Sequence, residues 1–297
     1  MREFLFLSKE VGLYSAFIYL IHKLELKIIN TSVVKSRNIK KQKRIENIHA
    51  ALSIFNGDVV TIDSKKYIKK YLQFKPAYYI YLRPYSSDEL VFSQVFIHEE
   101  YKAVVNIYDQ FYTKPPELII DCGSNIGLAS IYFFMFYPEV NVIAVEPFKK
   151  NADLIRQNFD SVSLKKYKIV EAGIWNSNGW LSVDREFRDK KEWSVRLIQS
   201  GKDKKDIRSC SLLEMIEGCK GLVDILKIDI EGAEQQLFED ENYAASFLKK
   251  VKCLALEIHD EFKGRNNIYK ILKNNNFFFY NTNEITVAIN RSFLPQL

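Results

Sequence analysis

The chain has 297 residues, 47% of them hydrophobic and 27% charged, with a net charge of +6. That balance suits a globular protein with a sizeable core and excludes a disordered or fibrous chain. The basic excess is spread along the chain and gives no nucleic-acid footprint, and no apolar run reaches the length of a membrane span.

Residues 1–30 carry Leu13, Phe17, Leu20, Ile21 and Leu24 at helical spacing, which predicts one or two helices. A basic run follows: Lys35, Arg37, Lys40, Lys41, Lys43 and Arg44. Together they fit a helical cap on the core, or a surface that docks peripherally on a membrane or a partner. A further amphipathic helix is expected over 45–56, closed by the turn signal Asn56-Gly57. Residues 59–62 and 78–82 read as strands of a hairpin. Pro84 stops the second, and Ser86-Ser87-Asp88-Glu89 offers a helix N-cap ahead of Leu90, Phe92, Val95 and Phe96. Pro115-Pro116 breaks the chain, and a boundary near 112 divides an N-terminal region, 1–112, from a main domain, 113–297.

From 117 the alternation is regular. Strands are expected at 117–121, 141–146, 167–172, 180–183, 223–229 and 251–258. Helices are expected at 126–136, 148–159, 211–217, 232–238, 242–249 and 264–274, and a closing hairpin pairs 276–280 with 285–289. Residues 184–206 read as a charged, irregular loop with Trp193 in the middle, a candidate lid over an acceptor. Strands alternating with helices give a parallel sheet with right-handed crossovers, and its ligands bind at the carboxyl ends of the strands.

The most informative stretch is 117–147. A buried strand, Leu118-Ile119-Ile120, runs into Asp121-Cys122-Gly123-Ser124-Asn125-Ile126-Gly127, then a helix, then a strand ending on Glu146. The glycines let backbone approach a ligand, and an acid at the end of the second strand can accept from two ribose hydroxyls. The turn is not the Gly-x-Gly-x-x-Gly of dinucleotide sites, and Asp121 at its mouth would repel a phosphate. An acid there suits S-adenosylmethionine (SAM), which carries a sulfonium and an ammonium and no phosphate. The expected cofactor contacts are Asp121, Gly123, Ser124, Asn125 and Gly127 on the methionine part, Glu146 on the ribose, and Ala172 and Gly173 near the adenine. The fold expected is α/β: a Rossmann-like, mostly parallel sheet of about seven strands with an antiparallel C-terminal hairpin and an N-terminal helical cap, the class I methyltransferase layout.

Two further strand ends carry charge. Lys227, Asp229 and Glu231 alternate in DILKIDIEGAE, and Glu257 and His259 alternate in LALEIH. Alternate residues point to one side of a strand, and charges at the end of a buried strand are costly unless paired or used. His259 and Asp229 are the candidates for a general base, and Lys227 for neutralising an acid or lowering a hydroxyl pKa. Asp229, Glu231 and Glu257 offer oxygen ligands of the kind Mg²⁺ takes.

IIDCGSNIGLAS, AVEP, DILKIDIEGAE and LALEIH, with LRPYSSDELVFSQVFIHEEY before them, resemble the FkbM family of SAM-dependent methyltransferases over roughly residues 78–260. The resemblance implies methyl transfer to oxygen, on a hydroxyl of a sugar or another small molecule. It also implies that Arg83 and Asp88 of the leading segment lie near the cofactor or the substrate mouth. Glu231, Glu257 and Trp193 join them as candidate acceptor contacts. A non-catalytic SAM-binding module and an NAD-dependent enzyme are the competing readings, the second disfavoured by the missing third glycine. Cys122, Cys210, Cys219 and Cys253 match no zinc spacing. Met1-Arg2-Glu3 runs into a mixed stretch broken by Lys9, Glu10, His22 and Lys23 with no evident signal peptide, so a reducing cytoplasm is the expected location.

Overall fold

The computed structural model describes residues 58–72, 75–84, 86–184, 196–199, 206–259 and 264–294. The helices expected within 1–56, the basic run at 35–44 and Trp193 lie outside them. The chain divides into two compact units, one within Met1–Gln94 and one within Val95–Leu297.

The first unit holds an antiparallel meander of β1 (Asp58–Ile62), β2 (Lys65–Leu72) and β3 (Lys75–Leu82), followed by α1 (Asp88–Phe92). The expected hairpin therefore contains an additional strand. Asp63 and Ser64, both at positive φ, make the tight turn between β1 and β2. Strand β2 hides its alternation behind lysines. Ile68, Lys70 and Leu72 are buried on one face, while Tyr67, Lys69 and Tyr71 share the other. The Lys69 ammonium lies 3.8 Å from the centre of the Tyr79 ring, a cation–π contact across the strand pair.

The second unit opens with α2 (Lys102–Phe111) and continues through β4 (Leu118–Cys122), α3 (Leu128–Phe136), β5 (Asn141–Val145), α4 (Lys149–Ser161) and β6 (Tyr167–Val170). Next come β7 (Gly173–Trp175), β8 (Gly179–Asp184), β9 (Arg196–Gln199), β10 (Ile207–Ser211) and α5 (Leu212–Glu217). The chain then forms β11 (Val223–Ile228), α6 (Glu234–Phe238), α7 (Glu241–Leu248), β12 (Val251–Glu257), α8 (Arg265–Asn274), β13 (Phe277–Thr282) and β14 (Ile285–Asn290). A seven-stranded sheet has the order β13-β14-β12-β11-β4-β5-β6. The strands from β12 to β6 pair in parallel, and β14 pairs antiparallel with both β12 and β13. This is the class I methyltransferase topology, with the reversed strand supplied by the C-terminal hairpin.

Strands β4 and β11 sit in the middle, and their apolar residues are buried on both faces as parallel strands require. Ile120, Cys122, Leu226 and Ile228 pack with residues of α5, α6, α7 and α8 in one core. At the opposite end of these strands from the glycine turn, Asp224 ties the sheet together. It accepts from the backbone N–H of Glu117 and Leu118, the Tyr108 hydroxyl and the Lys252 ammonium.

A second, four-stranded sheet has the order β7-β10-β8-β9. Sequence reading expected an irregular 184–206. Residues 196–199 instead form an edge strand, paired antiparallel with β8 from Leu181↔Gln199 to Asp184↔Arg196. Leu197 is buried and Ile198 exposed, and a strand of four residues carries too short an alternation to stand out in a charged stretch.

Candidate active site

The turn after β4 is shaped by close approach. Gly123 has φ +79°, and a Cβ there would lie 1.8 Å from the Asp229 carbonyl oxygen. Gly127 has φ +86°, and its Cβ would meet the Phe159 ring at 2.8 Å. Asn125 also takes a left-handed conformation, at φ 50°. The Gly123 and Ser124 N–H groups both donate to the Val145 carbonyl, and the Ser124 hydroxyl donates to the Asp121 carbonyl. The turn thus packs against the ends of β5 and β11, and neither glycine admits a side chain.

Glu146 follows β5 directly and is buried. Its carboxylate accepts from the N–H of Asn125 at 3.0 Å, the N–H of Phe148 at 3.1 Å and the side-chain amide of Asn151 at 3.0 Å. Burial pushes its pKa up to about 7 against the pull of these donors. Three donors leave part of the acceptor capacity of a carboxylate, about four lone-pair sites, for a further hydroxyl.

Asp121 and Lys227 face each other on β4 and β11, which pair in register at this position. Both are buried, and Asp121 Oδ1 lies 3.2 Å from Lys227 Nζ. The other Asp121 oxygen accepts from the Ser130 hydroxyl of α3 at 2.6 Å. Lys227 also donates to the Gly123 carbonyl at 2.7 Å and lies 3.5 Å from Asp229 Oδ2. Burial would depress the ammonium, but Asp121, Tyr101 and Asp229 outweigh it and hold its pKa well above the ordinary value. One buried cation therefore joins the turn, the Asp121 strand end and the partly exposed Asp229.

The third group centres on His259. Its Nδ1 is 3.0 Å from Glu234 Oε1, and its Nε2 is 3.5 Å from both Glu231 Oε2 and Glu257 Oε1. Glu234 is buried and also accepts from the Ile230 N–H. Glu231 sits at φ 54°, a left-handed conformation costly for a residue with a Cβ and typical of functional turns. Burial opposes the charged imidazole, yet Glu234, Glu257 and Asp229 raise His259 to about 9. Burial, with Asp229 beside it, raises Glu257 to about 9, and His259 opposes the rise.

The structure thus gathers Asp121, Gly123, Ser124, Asn125, Gly127 and Glu146 around the turn, with Lys227, Asp229, Glu231, Glu257 and His259 at the neighbouring strand ends. Ala172 is buried just beyond β6, and Gly173 starts β7. Packing also demands that glycine, since a Cβ would meet Leu197 at 2.5 Å and Leu181 at 2.8 Å. Arg83 and Asp88 belong to the first unit, where they form a two-pronged ion pair with contacts of 2.8 and 2.6 Å.

Sequence reading missed Glu100 and Tyr101. Burial and then Asp229 raise Glu100 to about 7, and burial raises the Tyr101 phenol beside Lys227. Glu284, in the β13–β14 turn, repels both Glu100 and Glu257. Glu100 and Tyr101 close the segment LRPYSSDELVFSQVFIHEEY that carries part of the family resemblance, but nothing in the sequence places them, or Glu284, beside the strand ends.

The expected Mg²⁺ set does not fit this arrangement. Asp229 faces Lys227, and Glu231 and Glu257 face His259, so all three carboxylates are already paired with protein cations. Among the described residues the compact metal-sized grouping is instead Asp229, Glu234 and His259, with ligand atoms within 4.8 Å of one another. A nitrogen-bearing set is not the all-oxygen shell that Mg²⁺ prefers.

The pattern of the family described as "Methyltransferase FkbM domain" matches residues 121–280, more than half of the chain. The methyltransferase sdnD of Sordaria araneosa is 27% identical over 154 residues, 41% of this chain and 59% of that protein. The AMB antimetabolite synthetase AmbE of Pseudomonas aeruginosa is 24% identical over 215 residues, 60% of this chain and 10% of that protein. The chain therefore spans only part of each relative's length. Among solved structures, the SAM-bound magnesium protoporphyrin IX methyltransferase of Synechocystis is 14% identical with a TM-score of 0.38, covering 68% of this chain and 81% of that one. The match from the turn acid into β13, on a sheet of this topology, establishes that the chain belongs to the FkbM family of SAM-dependent methyltransferases.

Proposed function

We propose that the protein methylates a hydroxyl group of a sugar, a glycan or a related small molecule. The observation that carries this reading is the convergence on one rim of the Gly123 turn, Glu146 and the partly exposed Asp229 carboxylate. When bound, SAM supplies a methyl group already activated on a sulfonium, so the protein has to align the acceptor and take one proton. Glu146 holds the ribose end with its remaining acceptor capacity, and the turn backbone lies against the methionine part. Asp229 receives the acceptor's hydroxyl proton as the methyl bond forms. Its neighbour Lys227 and the turn carbonyl it binds fix that carboxylate in place. Ala172 and Gly173 line the adenine end. Glu231, Glu257 and Glu100 border the acceptor side, where a polyol finds acceptors for its hydroxyls.

The acceptor class rests on this rim and on the family resemblance. Arg83, Asp88 and Trp193 are offered as contributors at the acceptor mouth from the sequence pattern alone. A cytoplasmic location, with peripheral membrane contact through the N-terminal 44 residues, belongs to the same proposal. Among the described residues no helix is long and apolar enough to cross a membrane.

The test is a coupled assay of S-adenosylhomocysteine release with a panel of mono- and oligosaccharides, beside calorimetry with SAM. Turnover on a hydroxyl acceptor that falls by about 10²-fold or more in Asp229→Asn, with SAM affinity kept, supports the proposal. Turnover only on amine acceptors, or full activity in Asp229→Asn, contradicts it.

A further inference from the structure

Glu234 and His259 form a pair that the proposed reaction does not require as acid or base. Glu234 opens α6, is buried, and holds the ring through Nδ1 at 3.0 Å while its Oε1 also accepts the Ile230 N–H. That fixes the ring so that Nε2 points between Glu231 and Glu257, 3.5 Å from each. Nδ1 faces Glu234 and Nε2 faces Glu231, and the oxygens of an ionised carboxylate only accept hydrogen bonds. A ring with a carboxylate at each nitrogen carries both protons. Lys227 does the same for the other half of the rim, between Asp121 and Asp229.

We propose that this site supplies its own cations, with the His259 imidazolium, anchored by Glu234, standing where a divalent metal would otherwise hold the rim carboxylates together. His259 is then a positioning residue rather than the base, and it keeps Glu231 and Asp229 from repelling each other, with Glu257 held beside its Nε2. The charged groups facing it are Glu234 from α6, Glu231 from the turn before α6, Glu257 from β12 and Asp229 from the end of β11. The elevated pKa of the ring, about 9, agrees with this placement. The inference deepens the proposed function by making the site independent of divalent ions.

Mn²⁺ serves as the probe, because it accepts both carboxylate and imidazole ligands. The full chain, first stripped with EDTA, is titrated with Mn²⁺ and followed by electron paramagnetic resonance. The wild type is expected to show no stoichiometric site at micromolar Mn²⁺. His259→Gln leaves the carboxylates without their cation and is expected to bind Mn²⁺ at least about tenfold more tightly. A wild-type protein that binds one Mn²⁺ tightly, and loses it in Asp229→Asn, overturns the proposal. So does a His259→Gln protein no more receptive than the wild type. Should His259→Gln fail to fold, Glu234→Gln is measured by nitrogen-15 NMR of the ring. Two protonated nitrogens at pH 7.5 in the wild type, and one in the variant, support the inference, whereas a singly protonated wild-type ring defeats it. None of these readouts uses turnover, so a chain that binds SAM without methylating hydroxyls would sink the proposed function and leave this inference standing.

Discussion

Lys227 is buried with Asp121, a turn carbonyl and Asp229 as its partners. An ion pair of this kind is weak evidence of net stability, but breaking it leaves a charge with no solvent. Lys227→Met is therefore expected to cost about 3–5 kcal/mol in urea unfolding, because Asp121 loses its counter-charge. Adding Asp121→Asn should recover part of that loss, and a double variant no more stable than Lys227→Met would count against the pairing. The alternation of Lys227, Asp229 and Glu231 was legible as a charged strand end. The partners were not, because register between β4 and β11 is a tertiary fact. Asp121 read as an acid waiting for a ligand's cation, and its carboxylate is instead occupied by Ser130 and Lys227. Glu100 shows the same limit, since its place beside Asp229 depends on how the loop ahead of α2 folds back.

Among the elements, the turn between β4 and α3 carries the strictest demand on sequence. A Cβ on Gly123 would fall inside the Asp229 carbonyl, and φ there is left-handed. Gly123→Ala is expected to lose at least about 2 kcal/mol and to displace the end of β11. Chemical denaturation measures the first effect, and a drop in SAM affinity reports the second. A variant as stable as the wild type would mean that the turn relaxes freely. The strands and helices of the main sheet were readable because long apolar periods specify them. Strands β2 and β9 were not. Lysine stems cover β2, where Lys70 itself is buried with its ammonium depressed by desolvation. β9 is a short strand that, among the described residues, pairs with β8 at the edge of its sheet.

At the scale of the whole molecule, several buried and half-buried groups couple folding to pH in one direction. Glu100 and Glu146 are raised to about 7 and Glu257 to about 9, so the folded chain keeps protons that the unfolded chain releases near pH 4.5. Their cost appears as pH rises through those values. His259 is raised to about 9, so its stabilisation is complete below its unfolded value of 6.5 and is lost as pH climbs through 9. All four terms lower stability with rising pH. The ligand-free protein is expected to melt at least about 5 °C lower at pH 9 than at pH 6. A flat or rising profile in differential scanning calorimetry would contradict these environments.

SAM binding by the Gly123 turn and Glu146 underlies the proposed function. It is tested most directly by isothermal calorimetry of SAM against the full-length wild type and Glu146→Ala. Saturable one-to-one binding by the wild type, weakened about tenfold or more in Glu146→Ala, is the predicted result, as expected for removing a buried charged acceptor of ribose hydroxyls. Equal affinity in the two proteins, or binding of NAD in place of SAM, would contradict it.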